Sequence, residues 1–263
     1  MVWLTSQSVA VLIVGCLTAA ALVAVGSRCI VSALVPSSQR EESQAIAAPL
    51  MPALGAAFAI LVALTLANEA GYLSSAQTIV SNEAADASRL AWASTMHGVH
   101  PHPIQTALRT YLLAARANEW HGANAAEGED RPTIRAVSRL ERVVRAEAAQ
   151  PEIGTPASTE LLSALDSLTT DRRSRVAAAS REPPAFYVLT LAVSGLALIA
   201  GAAAITIRAR PRAALLIGGL TVVVGLSLAL ILALANPWRG TSFVSGHPVD
   251  TVIHDLGTGY FRR

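Results

Sequence analysis

Residues 43–68 read SQAIAAPLMPALGAAFAILVALTLAN, 26 residues without an Asp, Glu, Lys or Arg. A helix rises about 1.5 Å per residue, so roughly 20 apolar residues cross the hydrocarbon core of a bilayer. Three more stretches, 1–27, 183–207 and 213–238, are equally free of charge. A backbone facing lipid must close its own hydrogen bonds, which makes each stretch a helix. The expected fold class is all-α: an integral membrane protein with four transmembrane helices, in two pairs flanking a helical extramembrane region.

Composition agrees with this. Only 14% of the 263 residues are charged and 52% are hydrophobic, outside ordinary globular usage. Of the 38 charged residues, 26 lie from Glu69 to Glu182. The expected divisions are a first helix pair at 1–68, a helical region at 69–183, a second pair at 184–240 and a tail at 241–263. A net charge of +2 argues against a nucleic-acid partner. Cys16 and Cys29 suggest neither a disulfide framework nor a metal site. The first stretch lacks a basic n-region and stays apolar from 9 to 25, so a retained helix is expected over a cleaved signal peptide.

The spans are expected near 8–25, 49–67, 185–207 and 213–235. Pro49 and Pro52 suit the first turn of the second span, where a missing N–H costs nothing. That helix is expected to continue into the polar region. Tyr72, Ala76, Ile79, Val80, Ala84, Ala87 and Leu90 share one helical face there. Pro101 and Pro103 break it. A second helix follows at 104–120, with Ile104, Leu108, Tyr111, Leu112 and Ala115 on one side. Asp130 caps a third helix, whose first turn holds Pro132 and whose expected stripe is Ile134, Val137, Val144 and Ala148. A fourth begins at Thr155-Pro156, with Leu161, Leu162, Leu165 and Leu168 inward. Trp238, after Asn236-Pro237, closes the last span, because proline stops a helix and Trp prefers the interface. The tail, 241–263, is expected to be short and partly ordered near the membrane.

The spans contain no Asp, Glu, Lys, Arg or His, which argues against a transporter built on a midplane carboxylate. A hydrophobic constriction needs no charge. Leu54, Phe58, Val62 and Leu66 form an i, i+4 row on the second span and are the candidate pore lining, although lipid or helix contact accounts for the row equally well. Gly55/Ala59, Ala197/Gly201, Thr221/Gly225 and Gly225/Ala229 are small pairs that let helices approach. His97, His100 and His102, with Glu119 and His121, have metal-ligand chemistry but match no strong spacing. A polar turn explains them as simply, and no metal or other cofactor is expected. Arg172, Arg173 and Arg175 precede the third span, where lipid headgroups would attract them, or where they would draw anions toward a pore. Glu119-Trp120 reads as local packing at a helix end or as the lining of an ion vestibule. No nucleophile–base pair or phosphate loop is present, so no enzymatic activity is expected. Orientation stays open: five arginines flank the spans on each side, and the short connectors tip the balance toward the cytoplasm.

The order of Asn82-Glu83-Ala84, Tyr111 through Glu119-Trp120, Asp171 through Arg175, and Asn236-Pro-Trp-Arg-Gly240 resembles the bestrophin-like domain family of bacterial membrane proteins, a domain of unknown function. The resemblance marks Glu83, Tyr111, Glu119, Trp120, Arg172, Arg175, Pro237 and Gly240 as family-motif residues. Asn236 departs from it, standing where the family usually has an acid. The resemblance implies a multi-pass protein of the cell membrane, a homo-oligomer in the lipid bilayer, and passage of small ions. It also implies a middle region inside the cell, against the charge count. A scaffold whose helical middle region binds a partner is the alternative.

Overall fold

The computed structural model describes residues 9–34, 40–120, 130–181, 185–205, 211–235, 238 and 244–262. Among them every regular element is helical: α1 (Val9–Leu34), α2 (Arg40–Ala93), α3 (Pro101–Asn118), α4 (Arg131–Ala148), α5 (Thr155–Ala179), α6 (Ala185–Ile205), α7 (Pro211–Leu234), α8 (His247–Thr258) and a 3-10 turn at Tyr260–Arg262. Four of the helices are long and apolar enough to cross a membrane, at Ala10–Ile30, Pro49–Ala93, Phe186–Ala203 and Ile217–Leu234. The chain divides into two units, Met1–Gly71 with Glu182–Asn236, and Tyr72–Arg181 with Pro237–Arg263.

The first unit holds the spans. In chain order they come as two pairs, but α1 packs against both α6 and α7, which also meet each other. Phe58, Leu61, Val62 and Leu66 of α2 join Leu191, Leu198, Val224 and Ile231 in one apolar cluster. Outside the cluster, Val14, Leu22, Ile60, Leu189 and Leu215 are exposed. Water would penalise that much open apolar surface, and lipid does not. The hydroxyls of Thr18, Thr65, Thr190 and Thr221 donate to the carbonyl four residues back, at 2.7–2.8 Å. Their polar atoms are thus met inside their own helices.

Two expectations fail in this unit. Arg28, expected in a connector, lies inside α1, which runs on to Leu34. Pro49 and Pro52 are interior to α2 rather than in its first turn, because the helix starts at Arg40. Each proline leaves the carbonyl four residues back without its helical donor.

The second unit starts where α2 leaves the spans, and the expected stripe holds. Ala76, Val80, Ala84, Ala87 and Leu90 are buried, as is the whole expected face of α3. α2 ends at Ala93, and Gly98 (φ 83°) turns the chain into α3. Its left-handed backbone suits glycine, and a Cβ would sit 3.1 Å from the Glu152 carbonyl. Asp130 caps α4 as expected, accepting from the Thr133 N–H at 2.9 Å.

The α4 stripe is rotated from the expected one. Thr133, Ala136, Leu140, Val144 and Glu147 are buried, while Ile134 is 42% exposed. Thr133 and Glu147 go inward because each has a partner: Asp130 for the first, His100 and Gln150 for the second. On α5, Leu161, Leu165 and Leu168 face the core and Leu162 does not. Neighbouring helical positions point about 100° apart, so Leu161 and Leu162 cannot both turn inward.

Candidate functional site

Six family-motif residues, scattered over 93 positions of sequence from Glu83 to Arg175, meet in the core of the second unit. Glu83 comes from α2, Tyr111 from α3, Glu119 and Trp120 from the residues just after α3, and Arg172 and Arg175 from α5. The buried stripes described above place them. Glu83 lies one position before Ala84 on the buried face of α2, and Tyr111 and Ala115 lead down α3 toward Glu119.

Arg175 is the hub and is fully buried. Its Nε donates to Glu83 Oε2 at 2.6 Å and its Nη2 to Glu119 Oε2 at 3.2 Å. Its Nη1 donates to the Glu119 backbone carbonyl at 3.0 Å. The Tyr111 hydroxyl donates to Glu83 Oε1 at 2.5 Å. Arg172 closes the other side of Glu119, with Nε on Oε2 at 3.1 Å and Nη2 on Oε1. Trp120 forms a lid of π-surface: the guanidinium carbons of Arg175 and Arg116 lie 5.0 Å and 4.9 Å from its ring centre. The Trp238 ring meets it edge-on, at 6.2 Å between centres.

Two carboxylates and two guanidinia balance in charge. An isolated buried ion is very costly, and only complete pairing makes such a group tolerable. Burial lowers the Arg175 pKa, yet Glu83, Tyr111 and Glu119 outweigh that and hold it above its ordinary value. Burial first, and the Glu83 charge second, push the Tyr111 phenol well above its ordinary range. Tyr111 is therefore a permanent donor.

Beside this core lies an unbalanced pair. The Asp86 charge acts on the Asp171 carboxyl, whose Oδ2 is buried without a hydrogen-bond partner among the described residues. Burial, then Asp86 and then Glu83, raise the Asp171 pKa to about 6. Two neighbouring carboxyls share a proton more readily than they share two negative charges. Further out, Arg89 clasps Glu160 with two hydrogen bonds at 2.6 and 2.9 Å, and Arg116 clasps Asp250 at 2.7 and 2.9 Å. Where the unit begins, the Tyr72 hydroxyl donates to the Ala178 carbonyl under the Arg181 guanidinium.

Sequence patterns place these residues only in part. The headgroup role expected for the α5 arginines fails for Arg175, which is buried, and for Arg172, which is tied to Glu119; Arg173 is exposed. Glu119 and Trp120 do pack at a helix end, but against α5, and neither has surface open to solvent. The histidine group is not assembled around Glu119: His100 pairs with Glu147 at 2.8 Å, and Glu119 binds arginines. His121, Pro237 and Gly240 lie outside the described residues. Of the candidate lining, Phe58 is buried, Val62 and Leu66 pack on the apolar cluster, and Leu54 is on the exposed side. The tail also forms α8, which carries the Asp250–Arg116 pair and which hydropathy patterning does not reveal. Pro248 near its start and the left-handed Gly259 at its end were the available signals.

A family model described as Bestrophin-like domain matches residues 18–249. No curated protein and no solved structure matches the chain.

Proposed function

Because this chain belongs to the bestrophin-like domain family, we propose that it is the subunit of a homo-oligomeric channel that passes small ions along a pore lined by span two. The observation that carries this is α2 itself. One uninterrupted helix of 54 residues bears both span two and Glu83, which is locked in the buried ion network. Phe58, Val62 and Leu66 hold the subunit's own cluster, which leaves the other face of α2 for a shared axis. That face carries Ala53, Ala57, Ile60, Leu64 and Ala67, all exposed, with Leu54 at its edge. Such a wall is apolar and free of charge, which suits a constriction that gates by dewetting. The ion network serves as a clamp on α2 rather than as an ion site, because each of its charges is already paired.

Purified protein in liposomes tests this by ion flux. Wild type is expected to conduct, and Ile60→Ser or Leu64→Ser, which wet the wall, are expected to conduct several-fold more. Intact oligomers without flux would favour the scaffold. Flux that responds to Val62→Ser but ignores Ile60→Ser would return the lining to the other face.

A further inference from the structure

The buried face of α4 is used by the core, but the opposite face is unassigned. Arg131, Arg135, Arg139, Arg142 and Arg145 are all exposed on it. At about 100° per residue the five fall within an arc of about 120°, and they extend about 21 Å along the helix. Among the described residues none of them pairs with a carboxylate. Arg135 and Arg142 turn instead to the backbone carbonyls of Arg131 and Ser138, each at 3.2 Å. The acids of the same helix do not neutralise the row: Glu147 is turned inward to His100 and Gln150, and Glu141 lies half-buried at the row's edge.

Like charges three and four residues apart on a helix repel. Folding therefore gains nothing from this row, and a negative partner would. The surface also dips beside two of the charges. A hollow of about 440 Å³ is lined by Arg139, Arg142, Val143 and Ala146. Two guanidinia at its rim can hold phosphate oxygens. Its aliphatic floor suits a glycerol or acyl stem. Nucleic-acid bases need aromatic platforms to stack on, and α4 contains no aromatic residue. The chain is itself membrane-embedded, so a lipid surface is the polyanion most available to it.

We propose that the exposed arginine face of α4 docks an anionic lipid surface, with a lipid phosphate seated between Arg139 and Arg142. The site is distinct from the buried network and does not depend on ion conduction.

Full-length protein in phosphatidylcholine nanodiscs, mixed with vesicles and read by flotation, tests the proposal. Vesicles containing phosphatidylglycerol are expected to capture the protein and pure phosphatidylcholine vesicles are not. Added salt weakens capture by screening. Arg135→Gln, Arg139→Gln and Arg142→Gln together are expected to reduce affinity about a hundredfold, at about fivefold per charge. The corresponding triple Lys variant retains capture. These side chains are exposed, so helicity and thermal midpoint stay at wild-type values. If the triple Gln variant fails to fold, Arg139→Glu alone serves, with about a tenfold loss or more expected. Capture by pure phosphatidylcholine, or undiminished capture of a folded Gln variant, overturns the proposal. Displacement of the vesicles by inorganic phosphate at constant ionic strength would make this a free-anion site. Tighter binding of a short RNA would make the partner a nucleic acid, and either result overturns the lipid assignment.

Discussion

Within the unit of the four spans, helices meet where side chains are missing; within the second unit, they meet where ionised side chains are brought together. A Cβ on Gly225 would lie 2.9 Å from Leu17 Cδ2 and 3.2 Å from its Cα. One on Gly195 would lie 2.8 Å from Val224 Cγ1, and one on Gly201 would lie 2.8 Å from Met51 Sδ. In the second unit the corresponding joints are Arg175 on Glu83 and Glu119. The contrast follows from what surrounds each unit. Lipid is as apolar as leucine, so helices within it associate through close packing. The second unit has a hydrophobic core of its own, which offsets the cost of burying a paired network. That network then ties α2, α5 and the end of α3 at one geometry.

The largest way to break this comparison is at the hub. Arg175→Met leaves Glu83 and Glu119 short of their shared partner and is expected to destabilise the second unit by about 3–5 kcal/mol. Denaturant unfolding of the full chain, followed through tryptophan fluorescence, measures it. Unfolding at the wild-type midpoint would mean that the network holds nothing.

A smaller effect is expected in the spans. Gly225→Val forces α1 and α7 apart and is expected to cost about 1–3 kcal/mol. The loss should appear as an earlier transition in an SDS titration, with the fluorescence of the second unit unchanged. If the variant tolerates SDS as wild type does, close approach at Gly225 is not what joins these helices.

The smallest effect sharpens the contrast by pH. Asp171 has an ordinary value of 3.8 and a folded value of about 6. Between these the folded chain holds a proton that the unfolded chain has released. Its contribution to stability is therefore complete below the lower value, and is lost as pH rises through the upper one. The second unit should gain stability on acidification over that interval. Asp171→Asn should flatten that dependence and leave the SDS transition of the spans unmoved. A pH slope that survives in Asp171→Asn would place the titration on another group.

Legibility differed between the units for the same reason that their joints differ. A span is recognised by what it lacks, and an absence is readable residue by residue. The faces of α2 and α3 in the second unit were readable too, because Ala76 through Leu90 and Ile104 through Ala115 repeat at helical spacing. α4 misled because its buried face includes Thr133 and Glu147, and hydropathy does not know that Asp130 and His100 will satisfy them. Arg175 misled more deeply. An arginine close to a membrane span reads as a headgroup contact, until the carboxylates that neutralise it are found 56 and 92 residues away. The motif residues could be named from their resemblance, but their convergence could not be read.

What the sequence determined alone was the helical class, the four spans and the concentration of charge between them. Each rests on a local property: charge-free length against bilayer thickness, or apolar spacing against the helical repeat. Tertiary structure decided which charges are buried, which arginines pair, and which face of α2 stays open. Those outcomes depend on pairwise distances between residues far apart in the chain, because a buried ion is stable only beside its counter-ion.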